Sequence, residues 1–390
     1  MREAVIISAV RTAVGTARKG TLSETRAEDL AVHVVREAVR RSGLAADRFD
    51  DVILAESLYG GGDLARHAAV AAGMVGVPGQ AVNRHCAGGL TAVGNAAASI
   101  RAGMDRAVVA GGVQATSTSP KLLWRTPGTA EEFQEGGLPT FPYTEDATDD
   151  VTLSVGWNVA QEVGISRGEM DAWALRSHQR AIAAIDAGVF TDEITPIKVA
   201  RPDGSVVEFA VDEHPRRGST LEKLAALKPL HPEIEGFSIT AGNASGVNDG
   251  ASALALADGG LAAGEGLEAL ATVRAWAAVG VQPSRTGMGA VEVVPRLLER
   301  AGRRVEDIAL WEINEAFASV PVAACKLLGL AEEKVNVFGS GCSLGHPVAA
   351  SGARMLTTLV HELRRRGGGL GVAAMCAGAG QGGAVLIEVA

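Results

Sequence analysis

Unbroken runs of apolar residues give the clearest strand signals in this chain. In such runs neighbouring residues are both apolar, which is typical of strands buried on both faces of a sheet. These runs predict strands within residues 5–10, 52–55, 107–110, 308–313 and 370–375.

Between these runs, apolar residues recur at the spacing of a helix face. The first set ends beside Gly103, a residue type that favours a helix end; its members are Leu90, Val93, Ala97, Ile100 and Met104. The second set is followed by arginines at 364–366, whose charge suits a helix C-terminus; its members are Met355, Leu356, Leu359, Val360 and Leu363.

Alternating strands and helices predict an α/β fold with parallel or mixed sheets. A weak repeat accompanies them: "FDDVIL" (49–54) resembles "VEDIAL" (305–310), and each is followed by a Gly-rich loop, a helix and a strand. The repeat predicts two related halves that face each other. Residues 118–247 differ in composition and predict an inserted loop-and-helix domain.

Composition narrows the class of protein. Hydrophobic residues make up 47% and charged residues 21%, which is typical of a globular protein. A net charge of −9 gives no electrostatic reason to bind nucleic acid. Residues 367–387 carry no charge over 21 residues, but eight glycines favour strand, loop and strand over a membrane helix. The first apolar run, ended by Arg11, is too short for a signal peptide, so we expect a soluble protein.

The four cysteines point to reduced thiols, because they are widely spaced and form no C-x-x-C pair. Cys86, in "VNRHCAGGL" (82–90), follows a strand-like run and precedes a helix. Backbone amides at a helix start stabilise a thiolate, so Cys86 is a candidate nucleophile. A small buried apolar residue is the equally weighted alternative.

Further segments place polar groups at strand ends. His346 lies in a Gly-rich segment at 336–352, Cys376 begins "CAGAGQGG", and Asn314 lies in "WEINEAFAS". The glycines after Cys376 expose amides toward an oxyanion, whereas Asn314 has helix capping as its alternative function. Two thiols, an imidazole and an amide together indicate acyl chemistry.

Two other kinds of site are not favoured by the sequence. Cys342 and His346 form half of a metal site, but no second pair occurs at ligand spacing, so we expect no metal. The glycines at 339, 341 and 345 resemble a loose dinucleotide motif, with the wrong spacing and a proline directly after it.

The segments in this order resemble the thiolase family nearly end to end. The resemblance is carried by "VNRHCAGGL", "ISRGEMDAWALRSHQRA" (165–181), "DEHPRRGSTLE" (212–222), "TAGNASGVNDGA" (240–251), "NEAFA" (314–318), "LGHP" (344–347) and "CAGAGQGGA" (376–384). It implies a five-layered αβαβα core made of two similar halves with an inserted loop domain. The implied domains are 1–117 plus 248–267, the insertion 118–247 for coenzyme A binding and oligomer contacts, and 268–390.

The resemblance also implies a ping-pong reaction. Cys86, its proton taken by His346, is acylated by an acyl-CoA, and Cys376 then acts as acid and base at the α-carbon. His346 and a water held by Asn314 serve one oxyanion, and the backbone N–H groups of Cys86 and Gly378 serve the other. For substrate binding, we expect contributions from Ser245, Arg216, Met288 and Phe317.

Several positions depart from the family pattern and indicate a specialised substrate. Gly89 replaces a serine, Gln114 replaces a glutamate, and 152–157 replaces the usual Met-Gly-x-Thr-Ala-Glu. Residues 290–292 and 340–342 also differ from the family.

We therefore expect an acyl-CoA C-acyltransferase that forms or cleaves a 3-oxoacyl-CoA. The alternatives are a thiolase-like condensing or acyl-transfer enzyme with a non-standard substrate, and a non-catalytic binding protein. Coenzyme A and acyl-CoA are expected as substrates, with no tightly bound cofactor, no nucleic acid and no membrane partner. A cytoplasmic homodimer or homotetramer is expected.

Overall fold

The computed structural model describes residues 2–57, 62–137, 140, 148–201 and 203–390. The strands in this part are β1 Ala4–Arg11, β2 Gly15–Thr16, β3 Asp51–Ala55, β4 Gly79–Val82, β5 Ala107–Ala115, β6 Leu123–Arg125, β7 Phe133–Glu135, β8 Ile197–Ala200, β9 Val206–Phe209, β10 Asn248–Asp258, β11 Ala271–Gly280, β12 Ile308–Ile313, β13 Gly369–Ala377 and β14 Gln381–Val389. The α-helices are α1 Ala27–Ser42, α2 Leu64–Ala71, α3 Gly88–Ala102, α4 Asn158–Val163, α5 Arg167–Asp186, α6 Leu221–Ala225, α7 Gly259–Gly264, α8 Gly289–Ala301, α9 Ser319–Leu328 and α10 Ser351–Arg365.

The apolar runs form strands as predicted. β1, β3, β5, β12 and β13 each contain one of the five runs, and their residues are almost all buried. The uncharged segment 367–387 contributes β13 and most of β14, in agreement with strand, loop and strand. None of the helices in the described ranges combines the length and apolar character that crossing a bilayer requires.

Both predicted helix faces are present, with one error. All five residues of the second set are buried in α10. In the first set the prediction for Met104 is wrong. The helix α3 ends at Gly103, which has a left-handed conformation, and Met104 is 81% exposed. Residues beyond such a C-cap leave the helix direction, so the spacing no longer predicts which way they face.

The large sheet repeats one topology twice. Its order is β12-β13-β14-β11-β1-β10-β5-β3-β4, with β2 beside β10. In the first half, β4, β3 and β5 are parallel and are followed by antiparallel β10 and β1. In the second half, a bridge at Val335, β12 and β13 are parallel and are followed by antiparallel β14 and β11. β1 and β11 pair briefly and join the halves.

Helices cover both halves of the sheet in five layers, as the resemblance implies. α1 and α2 pack on the outer face of the first half, and α8 and α9 lie against the second. α3 and α10 pack on each other between the halves and share one apolar core with strands of both. The first turns of these two central helices touch, since a Cβ on Gly89 would lie 2.7 Å from the Ala353 backbone nitrogen.

The region 118–247 contains two short hairpins, β6–β7 and β8–β9, and the helices α4, α5 and α6. Its segments 138–139 and 141–147 and residue 202 lie outside the described residues. A π-helical turn, Thr152–Trp157, precedes α4. The domain boundaries stay a prediction.

Candidate active site

Cys86 lies on a tight turn between a strand and a helix. The turn His85–Ala87 follows β4 and leads directly into α3. His85 has a φ of 44°, in the left-handed region that residues other than glycine rarely adopt. Asn83 Oδ1 accepts a hydrogen bond from the His85 backbone N–H at 2.8 Å, and Ser57 Oγ donates to the His85 carbonyl at 3.1 Å. These contacts hold Cys86 in position ahead of the helix.

The Cys86 thiol is neutral at rest. Burial raises its pKa to about 11, and backbone hydrogen bonds involving Gly378 and Cys86 itself lower it without cancelling the effect of burial. Backbone amides, one of them at the helix start, therefore act in the predicted direction, but the cost of burying a thiolate outweighs them. The nucleophile consequently needs a base.

A second thiol approaches from the other half of the molecule. Cys376 is the penultimate residue of β13 and is 1% exposed. Burial raises its pKa, and the charge on Cys86 raises it further. β13 packs on the turn that carries Cys86. The loop after β13 also reaches the first half, since a Cβ on Gly378 would lie 3.4 Å from the His85 ring.

His346 is a buried imidazole whose proton position follows from its hydrogen bonds. Its Nδ1 lies 2.6 Å from Ser351 Oγ, and that hydroxyl donates to the Pro347 carbonyl at 2.9 Å. The hydroxyl oxygen then accepts from Nδ1–H, which leaves Nε2 as the nitrogen with the lone pair. The His346 backbone N–H donates to Asn248 Oδ1 at 2.9 Å and fixes the loop.

The surroundings keep this imidazole uncharged. Burial lowers the pKa of His346 to about 4, and the positive charge of Arg354 acts in the same direction. Arg354 is itself buried and pairs with Glu312, with Nη1 and Oε2 2.9 Å apart. At neutral pH, His346 is therefore a neutral ring able to accept a proton.

Asn314 brings an amide to the imidazole. It is fully buried directly after β12, and its backbone N–H donates to the Ala374 carbonyl on β13 at 3.1 Å. Its Nδ2 lies 3.4 Å from each ring nitrogen of His346. Its Oδ1 is buried without a partner among the described residues. Helix capping is excluded as its function, because α9 begins only at Ser319.

Glu315 fixes the loops around Asn314 and His346. Its carboxylate accepts hydrogen bonds from Trp173 Nε1 at 2.9 Å and Ser177 Oγ at 2.6 Å, both on α5. It also accepts from Asn336 Nδ2 at 2.8 Å and from the Cys342 backbone N–H at 3.1 Å. One buried carboxylate thus ties the insertion to the second half of the core.

Comparison with known proteins identifies the family of the chain. The sequence profile described as "Thiolase, N-terminal domain" matches residues 4–259, and "Thiolase, C-terminal domain" matches residues 267–389. The chain belongs to the thiolase family.

Individual thiolases resemble it over their whole length. The chain is 41% identical to the "Acetyl-CoA acetyltransferase" of Pseudomonas aeruginosa over 98% of each chain. It is 37% identical to the "3-ketoacyl-CoA thiolase" of Bacillus subtilis over 100% of each. The crystal structure of the Bacillus anthracis acetyl-CoA acetyltransferase superposes with a TM-score of 0.93 at 40% identity, covering 100% of this chain and 99% of that chain.

Three of the four residues predicted to bind substrate lie on segments next to those of Cys376 and His346, and their role stays a prediction. Phe317 and Met288 are buried in the same apolar core as Cys376. The Ser245 backbone N–H donates to the Ala316 carbonyl at 2.8 Å, and the residues on either side of this segment bridge to Phe317 and His346. Ser245 therefore lies on a segment that contacts those of Phe317 and His346.

Arg216 is not brought together with the other predicted residues. It is exposed, and its backbone N–H donates to His178 Nδ1 on α5 at 3.1 Å. None of its contacts within the described ranges involves another predicted site residue. Its assignment to the nucleotide phosphates stays a prediction.

The glycines of the loose dinucleotide motif serve packing. A Cβ on Gly339 would lie 2.6 Å from the Ser177 carbonyl oxygen, and one on Gly341 would lie 2.6 Å from the Glu315 carbonyl oxygen. They allow the loop to approach other backbone closely. Within the described parts of the chain, no three His, Cys, Asp or Glu side chains are placed to hold a metal ion.

Sequence reasoning missed Ser351 and Asn248, which orient His346. Asn248 occurs in the quoted motif "TAGNASGVNDGA", and Ser351 follows His346 in the first turn of α10. A serine one helical turn beyond a candidate base is a usable signal, because its hydroxyl can reach back to the ring. Asn248 carries no such signal, since it is distant from His346 in sequence.

Proposed function

We propose that this thiolase is an acyl-CoA C-acyltransferase that forms or cleaves a 3-oxoacyl-CoA through an acyl-Cys86 intermediate. The observation that carries the proposal is the packing of the Cys86 turn, from the first half, on β13 and α10 of the second half. β13 carries Cys376, α10 begins shortly after His346, and Asn314 lies beside His346. The names of the relatives, acetyl-CoA acetyltransferase and 3-ketoacyl-CoA thiolase, support the same reaction class.

In the cleavage direction the first step makes the acyl-enzyme. His346 Nε2 takes the proton of Cys86, and the thiolate attacks the 3-keto carbon of the substrate. The bond between the α- and β-carbons breaks and its electron pair leaves as the enolate of a shorter acyl-CoA. Cys376 supplies the proton for that enolate, a task for which its raised pKa is suited because the thiol holds its proton at rest.

The second step returns both thiols to their starting state. The thiolate of Cys376 takes the proton of an incoming coenzyme A thiol, and the resulting thiolate attacks the carbonyl of acyl-Cys86. The Cys86 sulfur leaves, and His346 returns its proton. Synthesis is the reverse sequence with the same groups, in which Cys376 removes the α-proton.

Two groups of donors serve the oxyanions in this proposal. The backbone N–H groups of Cys86 and Gly378 belong to the turn and to the loop after β13. They donate hydrogen bonds to the carbonyl oxygen of acyl-Cys86 when coenzyme A attacks that carbonyl. His346 and Asn314 serve the enolate oxygen, either directly or through a water held by the buried Asn314 amide.

Mass spectrometry of the intact protein tests the proposal. The wild type and a Cys86→Ala variant are mixed with a panel of acyl-CoAs. We expect a mass gain of one acyl group in the wild type and none in the variant. An adduct of equal yield in Cys86→Ala, or no adduct with any donor, would reject the proposal.

Coenzyme A and acyl-CoA are the substrates in this proposal, and we expect full activity after exhaustive dialysis because no step uses a tightly bound cofactor. A homodimer or homotetramer and a cytoplasmic location stay predictions, which sedimentation analysis and cell fractionation test. The alternatives of a non-standard condensing enzyme and a non-catalytic protein are not favoured, because the catalytic side chains are present and the relatives are named as enzymes of this class.

A further inference from the structure

His231 joins two segments of the insertion through both nitrogens of its ring. Its Nε2 lies 2.8 Å from Asp150 Oδ2 and 3.0 Å from Thr152 Oγ1, at the start of the π-helical turn. Its Nδ1 lies 2.8 Å from Glu233 Oε1, on the loop that carries His231 itself. The ring also meets Phe237 edge-on, with centroids 4.9 Å apart.

Asp150 organises the first turn of this helical segment. Its Oδ1 accepts hydrogen bonds from the Thr152 backbone N–H at 2.9 Å and from Thr152 Oγ1 at 2.6 Å. Its carbonyl accepts from the Ser154 backbone N–H at 3.1 Å. Because His231 holds the other oxygen of the Asp150 carboxylate, the position of this turn depends on His231.

The same helical segment packs on the segments of Phe317 and Met288, the two apolar residues predicted to bind substrate. The space that these two side chains border is called the acyl pocket. A Cβ on Gly156 would lie 3.0 Å from Phe317 Cδ1. A Cβ on Gly287, the neighbour of Met288, would lie 2.4 Å from the Val155 carbonyl oxygen. With no side chain between them, a small displacement of the turn is transmitted to Phe317 and Met288.

From these contacts we infer that His231 is a positioning residue that sets the width of the acyl pocket through its ion pair with Asp150. Selectivity among acyl donors then depends on the protonation of His231. The inference rests on the proposed function, because it concerns the acyl group that Cys86 takes up. The inference also assigns a function to residues 152–157, which depart from the family pattern: they connect His231 to the acyl pocket.

The direction of the pH dependence follows from the charges around the ring. Among the residues that the structure describes, Glu233 on its own loop and Asp150, just before the helical segment, are the charged groups paired with His231. The hydrogen bond to Glu233, followed by the charge of Asp150, raises the pKa of His231 above its ordinary value. Below that pKa the imidazolium binds both carboxylates and holds the turn against the pocket. As the pH rises through it, the hold weakens and larger acyl groups fit better.

Acylation rates with two donors test this directly. The rate constant for acylation of Cys86 is measured with hexanoyl-CoA and with acetyl-CoA from mildly acidic to alkaline pH. Their ratio cancels ionisations that affect both donors equally, including those of Cys86 and His346. We expect the hexanoyl-to-acetyl ratio to rise about two- to five-fold with pH, the range set by one partly exposed ion pair.

Two opposite variants identify the titrating group. His231→Gln is neutral at every pH and is expected to keep the high ratio throughout, whereas His231→Arg is charged at every pH and is expected to keep the low ratio. Asp150→Asn removes the other charge and is expected to keep the high ratio at every pH. This variant provides the same test if a His231 variant does not fold.

A wild-type ratio that does not change with pH would overturn the inference, as would a His231→Gln profile that follows the wild type. Absence of acylation by both donors would instead reject the proposed function. The two failures are therefore distinguishable.

Discussion

The reactive side chains differ in what burial does to them. Burial raises the pKa of the Cys86 and Cys376 thiols and lowers that of the His346 imidazole, since each is driven toward its uncharged form. The resting site therefore contains two thiols and one neutral base. Cys86 becomes a nucleophile only when its proton moves to His346, so a thiolate need not persist between turnovers.

The protonation state of His346 can be observed by nitrogen NMR of the histidine side chains. We expect its ring to remain neutral at mildly acidic pH, where exposed imidazoles are protonated, with the proton on Nδ1 because Ser351 accepts it. Since the folded pKa is lowered to about 4, the ring becomes charged only as the pH falls toward that value. A charged ring near neutral pH, or a proton on Nε2, would contradict the assignment.

Replacing Ser351 tests whether this tautomer matters for acylation. Ser351→Ala removes the acceptor for Nδ1–H, so we expect the rate of Cys86 acylation to fall about two- to ten-fold, the worth of one hydrogen bond. Ser252→Ala is the matched control, because Ser252 is equally buried but binds Val10 and Thr357 instead. Equal acylation rates in the two variants would show that Ser351 has no orienting role.

Among the elements, strand and helix ends position the site more than their interiors do. Cys86, Asn314 and Cys376 lie at the start of a helix or the end of a strand, where the backbone can turn toward the central layer. Apolar runs predicted these strands because a strand that is buried on both faces has apolar residues at successive positions. The π-helical turn was not predicted, because its residues show no spacing that differs from an ordinary helix.

Gly88 shows how tightly the first turn of α3 is packed. A Cβ at this position would lie 2.7 Å from the Ala55 Cβ on β3, so Gly88→Ala is expected to lower the free energy of unfolding by about 1–3 kcal/mol. Gly264→Ala, at the end of α7 with open space around it, is expected to be unchanged or more stable by up to about 1 kcal/mol. Urea denaturation compares them, and equal stability would argue against the close contact.

The molecule as a whole is two similar halves fixed to one insertion. The repeat in the sequence predicted the halves, and the two halves are joined where the Cys86 turn packs on β13, the strand that carries Cys376. The contacts of the insertion were beyond prediction, because they join residues far apart in sequence. Glu315 with α5, and Arg11 with Glu193 and Asp212, are examples.

Arg11 tests how much the insertion depends on such contacts. Its guanidinium lies 2.6 Å from Glu193 and 2.8 Å from Asp212, and all three residues are buried. Arg11→Ala leaves two carboxylates without their cation, so we expect a loss of about 3–5 kcal/mol in the free energy of unfolding. The exposed pair of Arg217 with Asp186 is the control, and Arg217→Ala is expected to show no measurable loss. Similar stabilities for both variants would contradict this account.

The division of labour between the two thiols is tested most directly by comparing Cys86→Ala with Cys376→Ala after mixing with acetyl-CoA. We expect Cys376→Ala to accumulate the acetyl-enzyme without forming a carbon–carbon bond, and Cys86→Ala to form neither adduct nor product. Intact mass and product analysis on the same samples measure both. Formation of 3-oxoacyl-CoA by Cys376→Ala at the wild-type rate, or acetylation of Cys86→Ala to the wild-type extent, would contradict the assignment of these two residues.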